Sequence, residues 1–260
     1  MIGAHISFEK PMSSIIYTAK VLGLETFQIF TRNARNMKQR DIYMDEVNNF
    51  NMELLSSGFS KFVVHAPYSM NPSSPETYKR ASAVSMIKQD MQLLDHFAGQ
   101  KFYVLHPGSH MGMGEQTGID NLINTLKEVG YTNTTICVEL MSGAGTELLA
   151  TIGSINQLLN NCHGLNVKLT FDTCHVFGAG LPVVNLYKYL QDSIAVVHVN
   201  DSQYAFGTYK DRHANLGAGH IPMNVLKELC SIVPSDVPLI LETPSAGITK
   251  DIGLLKLFTS

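Results

Sequence analysis

The chain lacks tryptophan, has only four cysteines, and carries charge on only 16% of its 260 residues. The cysteines (Cys137, Cys162, Cys174, Cys230) show no CxxC spacing. They read as reduced thiols in a cytosolic-type compartment. Sparse charge beside a 45% hydrophobic content excludes a disordered chain and calls for a large buried core. Basic residues are not in surplus. A formal charge of −3 gives no electrostatic footprint for nucleic acid, although a net value hides local patches and bound metals. The opening "MIGAHISFEK" has no basic-then-apolar signal pattern, and no apolar run is long enough to span a bilayer. A soluble intracellular protein of the cytoplasm or nucleoid, with no membrane partner, is expected.

What is present is an alternation. Short apolar runs occur at 2–7 (IGAHIS), 26–30 (TFQIF), 61–67 (KFVVHAP), 101–107 (KFYVLHP), 134–140 (TTICVEL), 167–172 (VKLTFD), 194–200 (IAVVHVN) and 237–243 (VPLILET). Most are rich in Val, Ile and Phe without clean alternation, as strands covered on both faces should be. Helix-like segments separate them. In 74–99, Ser74 and Pro75 form a predicted N-cap and first turn, and Gly99 a stop. The segment 146–164 begins at Thr146 and ends at Gly164 in the same way. A sixth helix near 183–191 is short, and the third and seventh loops are long, as functional loops often are. Eight strands alternating with helices predict an α/β fold, a single (β/α)8 TIM barrel over residues 1–260.

Six of the predicted strands end in a metal-ligand residue type: His65, His106, Glu139, Asp172, His198 and Glu242. A barrel brings the C-terminal ends of its strands around one mouth, where active sites sit. One histidine at a strand end is most often a hydrogen-bonded structural residue. Three histidines and three carboxylates in one mouth would repel each other or stay unsatisfied without a cation. Imidazole mixed with carboxylate suits zinc or manganese better than calcium or magnesium.

Three further candidates lie beyond the strands. His175 follows Asp172 by three residues. Asp211 and His213, in "YKDRHANLGAGHIP" (209–222), are two apart, and in an extended segment both would point to the same side. These nine ligands exceed what one metal can use and fit a three-metal cluster, with His175, Asp211 and His213 as one face. Cys174 reads as a buried thiol. Among the other histidines, His5 and His110 are expected near the mouth; His96, His163 and His220 read as surface residues.

The ordered set "GAHIS" (3–7), "FTRNAR" (30–35), "HAPYSMN" (65–71), "LHPGSH" (105–110), "VELMSGAG" (138–145), "FDTCHVFGAG" (171–180), "HVNDSQYAFGTYKDRHANLGAG" (198–219) and "LETP" (241–244) resembles the endonuclease IV family of abasic-site endonucleases. The resemblance covers nearly the whole chain. It implies a trinuclear zinc site, with Mn2+ as a possible substitute. His65, His106 and Glu139 would hold one ion. Glu139 (bridging), Asp172, His198 and Glu242 would hold the second, and His175, Asp211 and His213 the third. It implies hydrolysis of the phosphodiester 5′ to an abasic site in duplex DNA, leaving a 3′-hydroxyl, with trimming of blocked 3′ ends, 3′-5′ exonuclease activity and a monomeric state. Glu139 and Glu242 would position the attacking water. Asn33, Arg35 and Tyr68 would face DNA by motif position, and Lys210 and Arg212 beside the metal loop would contact phosphates. Three departures stand out: "FEKP" (8–11) replaces a glycine-rich turn, Met37 an aromatic, and Leu140 an asparagine.

Two rival readings use the same residues. A sugar isomerase or epimerase of this barrel type needs only Glu139, Asp172, His198 and Glu242. A degenerate relative could bind damaged DNA without cutting it. The complete set of nine ligands disfavours both.

Overall fold

The computed structural model describes residues 1–8 and 11–259; Glu9 and Lys10, within the FEKP departure, and Ser260 lie outside them. Eight parallel strands form one sheet: β1 (Ile2–Ala4), β2 (Gln28–Ile29), β3 (Lys61–His65), β4 (Gln100–Leu105), β5 (Thr135–Glu139), β6 (Val167–Asp172), β7 (Ile194–His198) and β10 (Leu239–Leu241). Neighbours run β1-β10-β7-β6-β5-β4-β3-β2, and a parallel bridge between His5 and Gln28 closes the ring. This is the predicted (β/α)8 barrel. The strands are shorter than the apolar runs at several ends, because the chain turns into the mouth loops there. Helices α1 (Ser14–Val21), α2 (Met44–Ser56), α3 (Thr77–Leu94), α4 (Glu115–Val129), α5 (Ile152–Asn161), α7 (Val183–Leu190), α8 (Met223–Ile232) and α9 (Ile248–Thr259) surround it. Among the described residues no helix is long and apolar enough to cross a membrane.

Strand periodicity positions the site. Successive side chains alternate between faces. Phe62, Val64, Tyr103, Leu105, Val138, Leu169, Phe171 and Val197 belong to the core under the helices. Val63, Phe102, Val104, Cys137, Val196 and Ile240 form a separate cluster inside the barrel. Two residues beyond members of that inner cluster, on the same face, come His65, His106, Glu139, His198 and Glu242. The apolar plug is therefore the floor of the mouth, and the ligand candidates are the next layer up.

Two helices differ from expectation in their boundaries. Ser74 does not cap α3. Its hydroxyl accepts from the Glu76 amide at 3.2 Å, building a turn ahead of a helix that begins at Thr77. Gly99 follows the helix end by several residues; its φ of +76° serves the entry into β4, where a Cβ would meet the Ser60 carbonyl at 3.0 Å. The segment 146–150 is not helical. It pairs with the loop after β4, through Leu148 N–H to Gly108 O and His110 N–H to Thr146 O. Helix α5 begins later, where the Thr151 hydroxyl accepts from the Ser154 amide.

One helix and one two-stranded ladder were not predicted. A short helix α6 (Thr173–Gly178) follows β6 directly, and the long seventh loop contains an antiparallel ladder of β8 (Asp201–Ser202) with β9 (His213–Ala214). The two pack together. A Cβ on Gly178 would lie 2.8 Å from the Lys210 carbonyl, so glycine permits the close approach. Asp201, buried, accepts from the amides of Gly217, Gly219 and Ile221 and ties down the returning chain.

The loop after β2 is pinned from inside. The buried Arg32 guanidinium donates to Asp90 on α3 at 2.8 Å, and the Tyr103 hydroxyl donates to the other Asp90 oxygen at 2.7 Å. Removing one partner of a buried charged pair leaves the other uncompensated. Asp90→Ala is expected to lower unfolding stability by about 3–5 kcal/mol, read from denaturant midpoints.

Candidate metal centre

Glu139 ends β5 with no exposed surface. His65 Nε2 and His106 Nε2 each lie 3.3 Å from its Oε2. His175 Nδ1 and His198 Nδ1 each lie 3.2 Å from its Oε1. One carboxylate thus meets four imidazoles. His198 Nδ1 also lies 3.1 Å from Glu242 Oε2 and 3.7 Å from Asp172 Oδ2. On the outer side, His175 Nε2 is 3.3 Å and His213 Nε2 3.5 Å from Asp211 Oδ1.

Ligand atoms gather within 4.8 Å of one another in the sets His65/His106/Glu139, Glu139/Asp172/His198/Glu242 and His175/Asp211/His213. These are the three groupings expected from sequence. Their chemistry fits divalent cations. The Nε2 atoms of His175 and His213 are buried with no hydrogen-bond partner, although Asp211 lies close by. Lone pairs that converge without pairing are what a shared cation satisfies.

Local structure aims each group. Asp172 caps α6, accepting from the His175 amide at 2.9 Å, so a six-residue helix turns His175 back over the mouth. The ladder of β8 and β9 presents Asp211 and His213 from the same side. Several imidazoles are held from behind. His65 Nδ1 contacts Ala66 O at 2.6 Å, His175 Nδ1 contacts Leu140 O at 3.1 Å, and His213 Nδ1 contacts Glu242 O at 3.4 Å. A ring nitrogen that donates backwards leaves the other free to bind metal.

Cys174 is close enough to Asp172 and His213 to form a further possible set. Burial pushes its thiol up to about 12, and its sulfur contacts the Arg212 carbonyl at 3.7 Å; a protonated thiol is a poor ligand, in keeping with the expected buried-thiol reading.

The groups open into a cavity of about 790 Å³. Tyr68, 49% exposed, lines it, as does His5. Asn33, Arg35, Lys210 and Arg212 do not line it; all four are exposed. The Asn33 side chain accepts from the amides of Arg35 and Asn36, shaping the turn that carries Arg35. Ser69, beside Tyr68, donates to the Ala34 carbonyl, so these two loops meet. Lys210 lies over the Tyr204 ring at 4.4 Å, and the Arg212 guanidinium donates to the Asp211 carbonyl. His110 does not reach the cavity; its Nδ1 accepts from the Gly114 amide.

The family profile described as Xylose isomerase-like TIM barrel matches residues 16–256. A probable endonuclease 4 from Clostridium beijerinckii is 34% identical over 98% of this chain and 97% of its own. The chain belongs to the endonuclease IV family. The crystal structure of endonuclease IV from Thermus thermophilus superposes with a TM-score of 0.81 at 26% identity, covering 99% of this chain and 97% of that one. A D-tagatose 3-epimerase-like protein superposes with a TM-score of 0.79 at 23% identity over 99% and 96%, a likeness of fold alone.

Two polar residues at this family site escaped the sequence reading. Asn200 donates to Asp172 Oδ2 at 2.7 Å and accepts from the Glu242 amide at 2.9 Å, joining the ends of β6 and β10. Gln28, fully buried, reaches Glu242 and His198. The available signal was phase: Phe27 and Ile29 pack outward, so Gln28 between them points in.

Burial opposes charge on His175 and His198, but the carboxylates of Asp172 and Asp211, and of Glu242 and Glu139, more than offset it. Both imidazoles hold their protons well above the ordinary histidine range. Burial likewise opposes charge on Glu139 and Glu242, yet His198 and its neighbours hold both well below the carboxylate range. Asp211 is drawn down to about 2 against its burial, by His175 and His213. The raised histidines contribute stability fully present below about pH 6.5 and lost as pH rises through their folded values. The lowered carboxylates contribute stability present above about pH 4.5 and lost as pH falls through theirs. Metal-free protein should therefore be most stable between these limits and weaken at alkaline pH. Bound ions displace the histidine protons, so the melting-temperature gap between Zn2+-reconstituted and chelated protein should widen from pH 6 to pH 9. A gap that stays constant or narrows contradicts the assignment.

Proposed function

We propose that this chain is a zinc-dependent DNA repair endonuclease that hydrolyses the phosphodiester 5′ to abasic sites in duplex DNA, leaving a 3′-hydroxyl. Family membership makes it a DNA-cleaving hydrolase. The finer reading rests on one observation: three ligand sets share a single mouth around Glu139. A sugar isomerase would use the Glu139/Asp172/His198/Glu242 set and have no need for His65, His106, His175, Asp211 and His213. A binding protein without catalysis would have no reason to keep all nine.

His65, His106 and Glu139 would hold one ion, Glu139, Asp172, His198 and Glu242 a second, and His175, Asp211 and His213 a third. Divalent ions held there would supply Lewis acidity toward the phosphate and lower the pKa of water from about 15.7 toward 7. The protein residues do the rest. Glu139 and Glu242 line the cavity and would accept a hydrogen bond from the attacking water, orienting it toward phosphorus. No side chain forms a covalent intermediate. Four carboxylates alone would repel a phosphodiester. Three Zn2+ ions change the formal total from −3 to about +3, concentrated at the mouth.

Selection of the abasic residue would fall to the rim. An unstacked, baseless residue is the least costly to extrude. Arg35, carried on the turn that Asn33 shapes, and Tyr68 would meet the opened duplex. Lys210 and Arg212 would contact flanking phosphates. Blocked 3′ ends present the same phosphoester chemistry without needing extrusion, so 3′-phosphodiesterase and 3′-5′ exonuclease activities accompany the reading, with the chain acting as a monomer.

The deciding experiment is cleavage of an end-labelled duplex carrying one tetrahydrofuran abasic analogue, which cannot undergo β-elimination. A single 3′-hydroxyl product is expected, lost after prolonged chelation and restored by Zn2+. Glu242→Gln should reduce kcat by on the order of 10²–10³-fold. Metal-replete protein that leaves this duplex intact would sink the assignment.

A further inference from the structure

Gln28, unlike the neutral amide of Asn200, contacts the side chains of two ligand candidates at once. It is a neutral side chain, buried, on the inward face of β2, and its amide nitrogen donates to Glu242 Oε1 at 2.6 Å. Its oxygen lies 2.9 Å from His198 Nε2. The same nitrogen lies 3.3 Å from His5 Nδ1. One terminal amide therefore spans two members of one ligand set, and both of its N–H directions are taken.

The amide has a forced orientation. An ionised carboxylate only accepts hydrogen bonds, so the face toward Glu242 must be the NH2 group. The carbonyl oxygen is then the group that meets His198. That oxygen only accepts, so His198 must carry a proton on Nε2. In the neutral, metal-binding ring the lone pair is then on Nδ1, the atom facing Glu139, Glu242 and Asp172. His65, His175 and His213 have the opposite arrangement, with Nδ1 on a backbone carbonyl. His175 Nδ1 also comes within 3.2 Å of Glu139 Oε1, but of these four rings His198 is the one whose outer nitrogen is held by a side chain, Gln28, and whose Nδ1 has no backbone carbonyl partner among the described residues.

Resting on the metal-centre reading above, we propose that Gln28 is a positioning residue: it selects the His198 tautomer and fixes the rotamer of Glu242, and so builds the Glu139/Asp172/His198/Glu242 position from behind. Such outer partners typically change metal affinity by about 10- to 100-fold. Among the described residues the Gln28 side chain hydrogen-bonds His5, His198 and Glu242 and none of Arg35, Tyr68, Lys210 or Arg212, so its loss acts on turnover and metal retention and leaves substrate binding in place.

The test uses the full-length protein reconstituted with Zn2+. Long-range 1H–15N spectra report which ring nitrogen carries the proton, and metal release to a chelator reports the ions. In the wild-type protein, His198 is expected as the Nε2–H form. Gln28→Leu should lose that signature and release one ion per chain about 10- to 100-fold more readily, with the other two retained. Its kcat on the tetrahydrofuran duplex should fall at unchanged KM. Gln28→Glu keeps an acceptor for His198 and loses the donor to Glu242; it should retain the tautomer and still release the ion readily. Wild-type protein that holds fewer than two zinc ions overturns the metal-centre reading itself. A metal-replete wild type with His198 protonated on Nδ1 overturns the role of Gln28 alone. So does a folded Gln28→Leu variant with wild-type tautomer and chelator resistance. The wild-type spectrum decides the matter even if a variant does not fold.

Discussion

Glu139 is a carboxylate with no exposed surface, facing four imidazoles across two oxygens. Burying one ion this deeply is costly unless opposite charge and hydrogen bonds surround it. The mouth of the barrel is organised to meet that demand. β3, β4 and β7 each bring a histidine to it, and α6 brings another. Because the imidazoles are themselves crowded, further carboxylates from β6, β10 and the seventh loop balance them. The result is a shell of alternating acid and base whose remaining lone pairs converge on shared points.

Such a shell works only if its members cannot rotate away. Backbone carbonyls fix His65, His175 and His213, while Gln28 and Asn200 brace His198, Asp172 and Glu242. The barrel supplies this rigidity because the ligands sit one layer above an apolar plug that sets the height of every strand end. The elements that are not strands are held as firmly. Asp201 anchors the returning seventh loop, and Gly178 lets that loop lie against α6. The outermost ligands, Asp211 and His213, are thus fixed by contacts among loops.

Element type was legible where hydrophobic pattern decides it. The eight apolar runs became the eight strands, and period two placed a ligand candidate beyond a plug residue on the same face. Boundaries were less legible. At 146–150, Thr, Glu and Leu suit a helix, but pairing with the loop after β4 won, because those backbone groups had partners available there. At Ser74, a good capping residue built a turn instead. The hairpin of β8 and β9 has too few residues to show a period. Gln28 was hidden for a different reason: one amide in an apolar strand has no chemistry until its neighbours are known.

The sequence by itself determined the barrel and the identities of the nine ligand candidates. The barrel follows from the periodicity of apolar residues, six ligand candidates from polar residues at strand ends, and His175, Asp211 and His213 from their spacing just beyond the sixth strand and in the seventh loop. The chain order of those residues cannot say which lone pair faces which oxygen. Glu139 and Glu242 are separated by more than a hundred residues, yet both contact His198 Nδ1. Closure of the ring brought β1 and β2 together and placed Gln28 between His5, His198 and Glu242. Only the tertiary structure decided those contacts, because hydrogen-bond direction and imidazole tautomer depend on atoms brought within about 3 Å by strands distant in the chain.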